Sequence, residues 1–181
     1  MPMKYLFAFL LASMSFCGYA QKAGDLFGGI NYSLATLKTE SLGTYKPSTL
    51  GLGLSYVAID NLAIEGGVFG GLQSSSDASN AGTPMTLKVI DGYGFSFRPF
   101  IGLNESWGGY VKLGRQYGTQ EVVFQNGSSQ QATYAHTIYG LGVSHKIHSQ
   151  WGITADYTKT KRIPSEKATS TAIGIGLRYK F

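Results

Sequence analysis

Residues 169–181 read T-S-T-A-I-G-I-G-L-R-Y-K-F. A strand sends alternate side chains to opposite faces. One face carries Thr171, Ile173, Ile175, Leu177, Tyr179 and Phe181. The other carries Ala172, Gly174, Gly176, Arg178 and Lys180. The small and charged face is too narrow for a core, and the apolar face is too long to meet water. The conflict resolves if the apolar stripe faces lipid while the Gly/Arg/Lys face lines a tight lumen.

Eight segments alternate in this manner. They are predicted at about residues 26–37, 49–58, 62–72, 86–98, 107–117, 133–146, 151–160 and 169–181. Short connections follow the second, fourth and sixth, and longer polar ones follow the first, third, fifth and seventh, including 118–132 and 161–168. Short periplasmic turns and long outer loops mark an outer-membrane barrel. The expected fold is all-β, an eight-stranded antiparallel up-and-down transmembrane barrel. Asp91 falls on the apolar parity of the fourth segment, which requires a bulge or a position above the lipid. A soluble lipocalin-like barrel is the architectural rival.

Residues 1–20 read as an export leader: Lys4, a short apolar run, then Gly18-Tyr19-Ala20 as a cleavage site. Residues 21–181 then form the barrel domain. The single cysteine, Cys17, departs with the leader. Glycine is 25 of 181 residues, and tyrosine and phenylalanine contribute 12 and 10, as small barrels require. The formal charge of +5 is too small to imply a nucleic-acid partner.

Two stretches carry a family resemblance. G-L-G-V-S-H-K-I-H-S-Q-W-G-I-T-A-D-Y at 140–157 and G-I-G-L-R-Y-K-F at 174–181 resemble the small OmpA/OmpX-type outer-membrane barrels, including the opacity-protein relatives. The resemblance implies localisation in the outer membrane of a Gram-negative bacterium. It also implies that the assembly machinery recognises the closing strand through Tyr179 and Phe181. The chain stops at the eighth strand, without the soluble peptidoglycan-binding domain of full OmpA proteins, which argues against wall anchoring.

Alternation points Glu65, Lys112, Asp156 and Arg178 into the lumen, and the OmpA barrel has a similar network of acids and bases. Buried charges must be paired. An eight-stranded barrel is just wide enough for side chains to fill, which favours a plug over a gate. Arg98, Lys146 and Lys180 are expected at the periplasmic end, solvated by water and lipid phosphates. Trp107 and Trp151 each begin a strand after a short turn. They are expected in a periplasmic aromatic belt with Tyr56, Phe97, Tyr179 and Phe181.

Lys159, Lys161, Arg162 and Lys167 gather near the last outer loop as candidates for contact with lipopolysaccharide or an anionic host surface. His136, His145 and His148 share no ligand spacing, and Ser144 and His145 lie on opposite faces. No metal, cofactor or catalytic site is expected. The reading is therefore a monomeric structural barrel that contacts outer-membrane lipids and presents four loops, for which the family resemblance implies adhesion to a host ligand or serum resistance. The alternatives are a narrow low-conductance pore and a lipid A-modifying enzyme.

Overall fold

Long runs with apolar residues at every second position favour strands over helices, because strand side chains repeat with period two. The computed structural model describes residues 21–39, 43–78, 84–162 and 168–181. Its strands are β1 (Leu26–Thr39), β2 (Gly43–Tyr45), β3 (Ser48–Ile59), β4 (Leu62–Gln73) and β5 (Ser75–Ala78). They continue with β6 (Pro84–Gly102), β7 (Trp107–Phe124), β8 (Ser129–Lys146), β9 (Trp151–Arg162) and β10 (Ala168–Lys180). The eight long strands pair antiparallel in chain order, and β10 pairs with β1 to close an all-β barrel. Strands β2 and β5 add short pairings to β1 and β6.

Closure has a measurable pitch. The pairing row from Trp107 passes through His145, Ile153, Leu177, Ile30, Leu52, Val68 and Tyr93. It returns to β7 at Tyr117, ten residues further along. That offset is the shear, and it obliges the strands to tilt.

The wet side is as the alternation requires. Leu52 is 62% exposed, Leu141 64% and Ile175 60%, all on the outer surface. Inside, the periplasmic end closes on a cluster of Phe27, Val57, Ala63, Phe100 and Tyr110. Short turns are fixed by local chemistry. Asn61 takes a left-handed φ of 70° between β3 and β4. Asn104 Oδ1 accepts from the backbone N–H groups of Ser106 and Trp107 at 3.0 and 2.9 Å.

The fourth segment contains a bulge beside Asp91, but it does not turn that residue inward. Register between β6 and β7 shifts between Val89 and Asp91. Below the shift Ser96 and Arg98 point inward, while above it Met85 and Leu87 do, all four being buried. Asp91 itself stays on the outer face.

The expected loop at 118–132 is mostly strand. Strands β6, β7 and β8 run 19, 18 and 18 residues. Crossing a bilayer takes about 9–11, so these three continue well past it as a sheet. On that projecting part polarity reverses: Met85, Leu87, Val122 and Phe124 face in, while Thr86, Lys88 and Glu121 face out. Lys88 Nζ lies 3.8 Å from Glu121 Oε2. A lipid-facing template fails there because the surface is built for water.

Leu54 is 59% exposed and lies midway along β3 on the lipid face. Leu54→Arg is expected to cost about 2–4 kcal/mol of barrel stability, the penalty for a guanidinium near the bilayer centre. Urea titration in phospholipid vesicles, followed by tryptophan fluorescence, measures it.

Candidate functional site

Inward parity brings one acid to a group of bases from separate strands. Glu65 on β4 is the hub. Its Oε1 lies 3.1 Å from Arg98 Nη1 on β6 and 4.0 Å from Arg178 Nη2 on β10. Its Oε2 lies 3.4 Å from Lys112 Nζ on β7 and accepts from Ser96 Oγ at 3.4 Å. Asp156 on β9 accepts from Tyr110 Oη at 3.3 Å. Aromatic faces supply further negative potential. Arg98 sits 4.9 Å from the Tyr110 ring centroid, and Arg178 sits 4.6 Å from that of Phe27. Glycine makes the room: a Cβ at Gly142 would collide with the Tyr110 ring.

Of the four residues expected in this network, Glu65, Lys112 and Arg178 meet directly, and Asp156 joins through Tyr110. Arg98 corrects the sequence reading. It is 2% exposed rather than solvated, and its Nη2 donates to Gln21 Oε1 at 3.3 Å. The periplasmic end is shut by Phe27, Val57, Phe100 and the segment preceding β1, which bury this guanidinium from the bulk solvent below. Lys180 is paired at the rim instead, 2.6 Å from Asp25 Oδ2. Toward the outer end the lumen opens into a cavity of about 260 Å³ whose inner wall includes Asn31, Ser33, Thr49, Phe69 and Gln116.

The outer surface carries two aromatic levels. Trp107 and Trp151 are each 43% exposed. Trp107 meets His145 at 4.3 Å with the rings tilted, Trp151 meets Tyr179 edge-on at 4.9 Å, and Tyr179 meets Phe181 at 5.3 Å. Correcting for the climb of the pairing rows, Tyr32, Tyr93, Tyr117, Tyr139 and Tyr157 fall together at a higher level. Tyr93 and Tyr117 stack at 5.2 Å. Phe97 pairs with Ile64 and Leu113 and lies between the levels rather than in the lower one.

A sequence profile for the outer membrane protein beta-barrel domain matches residues 8–181. This chain belongs to that family. It is an outer-membrane protein. A search of curated proteins finds no match. Among solved structures, the fold is similar to Neisserial surface protein A, with TM-score 0.65 and 17% identity over 86% of this chain and 97% of that one. It is similar to Ail, the attachment invasion locus protein of Yersinia pestis, with TM-score 0.62 and 18% identity over 87% and 99%. OprG from Pseudomonas aeruginosa gives TM-score 0.53 and 13% identity over 91% and 98%.

Within this family fold, the outer cations separate. Lys159 and Lys161 project outward from β9 beside the upper tyrosines, facing Tyr139 and Thr137 of β8. Arg162 pairs by its backbone with His136. Lys167 lies outside the described residues, as do residues 1–20, read as the leader. Arg115 completes the outward group from β7, across from Thr137, and had not been singled out. The parity of Val111 and Leu113, carried one step further, would have found it. His136 points inward against Tyr134 at 4.6 Å, and His148 bonds Ser149 Oγ at 3.0 Å in a turn. The three imidazoles are therefore dispersed.

Glu65→Gln leaves three cations sharing a neutral amide. The expected loss is about 3–5 kcal/mol, the usual result of removing one partner from a buried ionic group. Lys112→Met, which leaves Arg98 and Arg178 on the carboxylate, should cost clearly less. Heat-modifiable gel mobility and urea midpoints of both variants check the order.

Proposed function

We propose that this protein is a structural barrel whose lumen is closed and whose work is done by what it lifts above the outer membrane. The observation that carries this reading is the reversal of polarity at the β6 bulge. Below it the sheet is dressed for lipid. Above it β6 and β7 continue with Met85, Leu87, Val122 and Phe124 facing inward and Lys88 and Glu121 outward, a surface made to stand in water. A sheet held rigidly away from the membrane suits adhesion or another surface interaction.

The neighbours' own descriptions support the class. One is called an attachment invasion locus protein, and a second structure of it holds the heparin analogue sucrose octasulfate. For this chain the proposal is contact with a host surface through the projecting sheet. Arg115, Lys159 and Lys161 would meanwhile meet lipopolysaccharide phosphates beside the upper tyrosines, and Tyr179 and Phe181 would direct assembly. The barrel acts as a monomer and carries out no catalysis. A narrow pore through the lumen is the second reading, favoured by the cavity that Glu65, Lys112, Asp156 and Arg178 themselves help to line.

Two measurements separate these. Planar-bilayer recordings of the pure protein should be silent, because Glu65 and its cations cross the lumen; a stable conductance lost in Lys112→Ala would favour the pore. Replacing residues 119–133 with an Asn-Gly turn should leave the heat-modifiable barrel intact. It should also reduce adhesion of expressing cells to host matrix to the level of a deletion strain.

A further inference from the structure

The inner wall of the barrel has one bare stretch. Gly29, Gly53, Gly67 and Gly94 lie on a single pairing row across β1, β3, β4 and β6. All four have inward parity and line the cavity of about 260 Å³. With no side chains on that row, space is left beside the ion cluster. The charged side chains on the same cavity are Arg98, Lys112 and Arg178 against Glu65 and Asp156. Positive charge is therefore in excess by one.

The floor also has donors to spare. Arg98 is 2% exposed and Ser55 5%, and both line the cavity. Arg98 Nε and Ser55 Oγ are buried and have no hydrogen-bond partner among the described residues. A buried donor left without an acceptor is costly and calls for a cause. A guanidinium and an ammonium can only donate. What completes this floor must accept hydrogen bonds and carry negative charge. Water meets the first demand and not the second.

We infer that the lumen floor is a binding site for one small monovalent anion, a halide or a small carboxylate, lying beside the glycine row. Lys112 is the most open of the three cations, its side chain 23% exposed against 3% for Arg98 and 12% for Arg178, and it is the main charge partner. A divalent anion would overshoot the single excess charge, and Glu65 and Asp156 would repel the surplus. The site belongs to the bore and does not depend on what the projecting sheet contacts.

The test uses the whole barrel in micelles of an uncharged detergent, with chloride itself as the probe. The chloride-35 NMR line should broaden with protein and saturate as chloride is raised. Lys112→Gln, which removes the excess charge and leaves Arg98 and Arg178 on Glu65, should weaken chloride binding about tenfold or more. Lys159→Gln on the outer surface should leave it unchanged. Displacement of chloride by formate shows that the site takes carboxylates as well; chloride that formate does not displace restricts it to halide. The wild-type barrel gives a second readout that needs no variant. Its urea midpoint should rise with chloride and level off at fixed ionic strength, with a bulky organic sulfonate as the balancing anion. Equal broadening by wild type and Lys112→Gln, or a midpoint indifferent to chloride, overturns the site and assigns the spare donors to water.

Discussion

Inside a bilayer a peptide N–H or C=O group has no solvent to turn to, and an open sheet cannot satisfy its outermost strands. Joining β10 to β1 removes that penalty, and the rest of the molecule follows from the closure. Eight strands with an offset of ten residues enclose a bore that side chains must fill. Glycine lines much of it, because neighbouring walls approach closely. The residues left to occupy the centre are the ones that bind to each other across it.

Charge takes that place because it holds walls together from inside without a continuous apolar core. A single carboxylate drawn toward Arg98, Lys112 and Arg178 ties β4 to β6, β7 and β10 at once. Tyr110 extends the arrangement to β9 through Asp156. A hydrophobic plug of equal size could be as stable, since ions lose hydration on entering the barrel. The ionic arrangement specifies which strand faces which, because its partners come from defined positions on five strands. Below it, the apolar group around Phe27 and Val57 excludes water and so strengthens the same attractions.

The lipid-facing part of the fold was legible because period two is a short-range property: Leu50, Leu52 and Leu54 state their face within one strand. Inward placement of Glu65, Lys112, Asp156 and Arg178 was legible for the same reason. Arg98 was not, although its parity was right. Whether an inward cation near a strand end is wet depends on Gln21 and Phe100, which come from other parts of the chain. The upper halves of β7 and β8 were read as loop because Glu121 and Gln131 look like loop residues when lipid is assumed outside. Their β-structure follows from Val122 and Phe124, whose inward role appears only once the barrel is assembled.

The extra residue between Val89 and Asp91 acts on the pleat as a frameshift acts on a reading frame. A single unbroken strand thereby belongs to two different solvents. Relatives that lack the insertion, or carry it elsewhere, would slide out of alignment by one position when matched on polarity alone. The height at which oil gives way to water along β6 can thus move during evolution by shifting one amino acid, with no new turn and no change of topology.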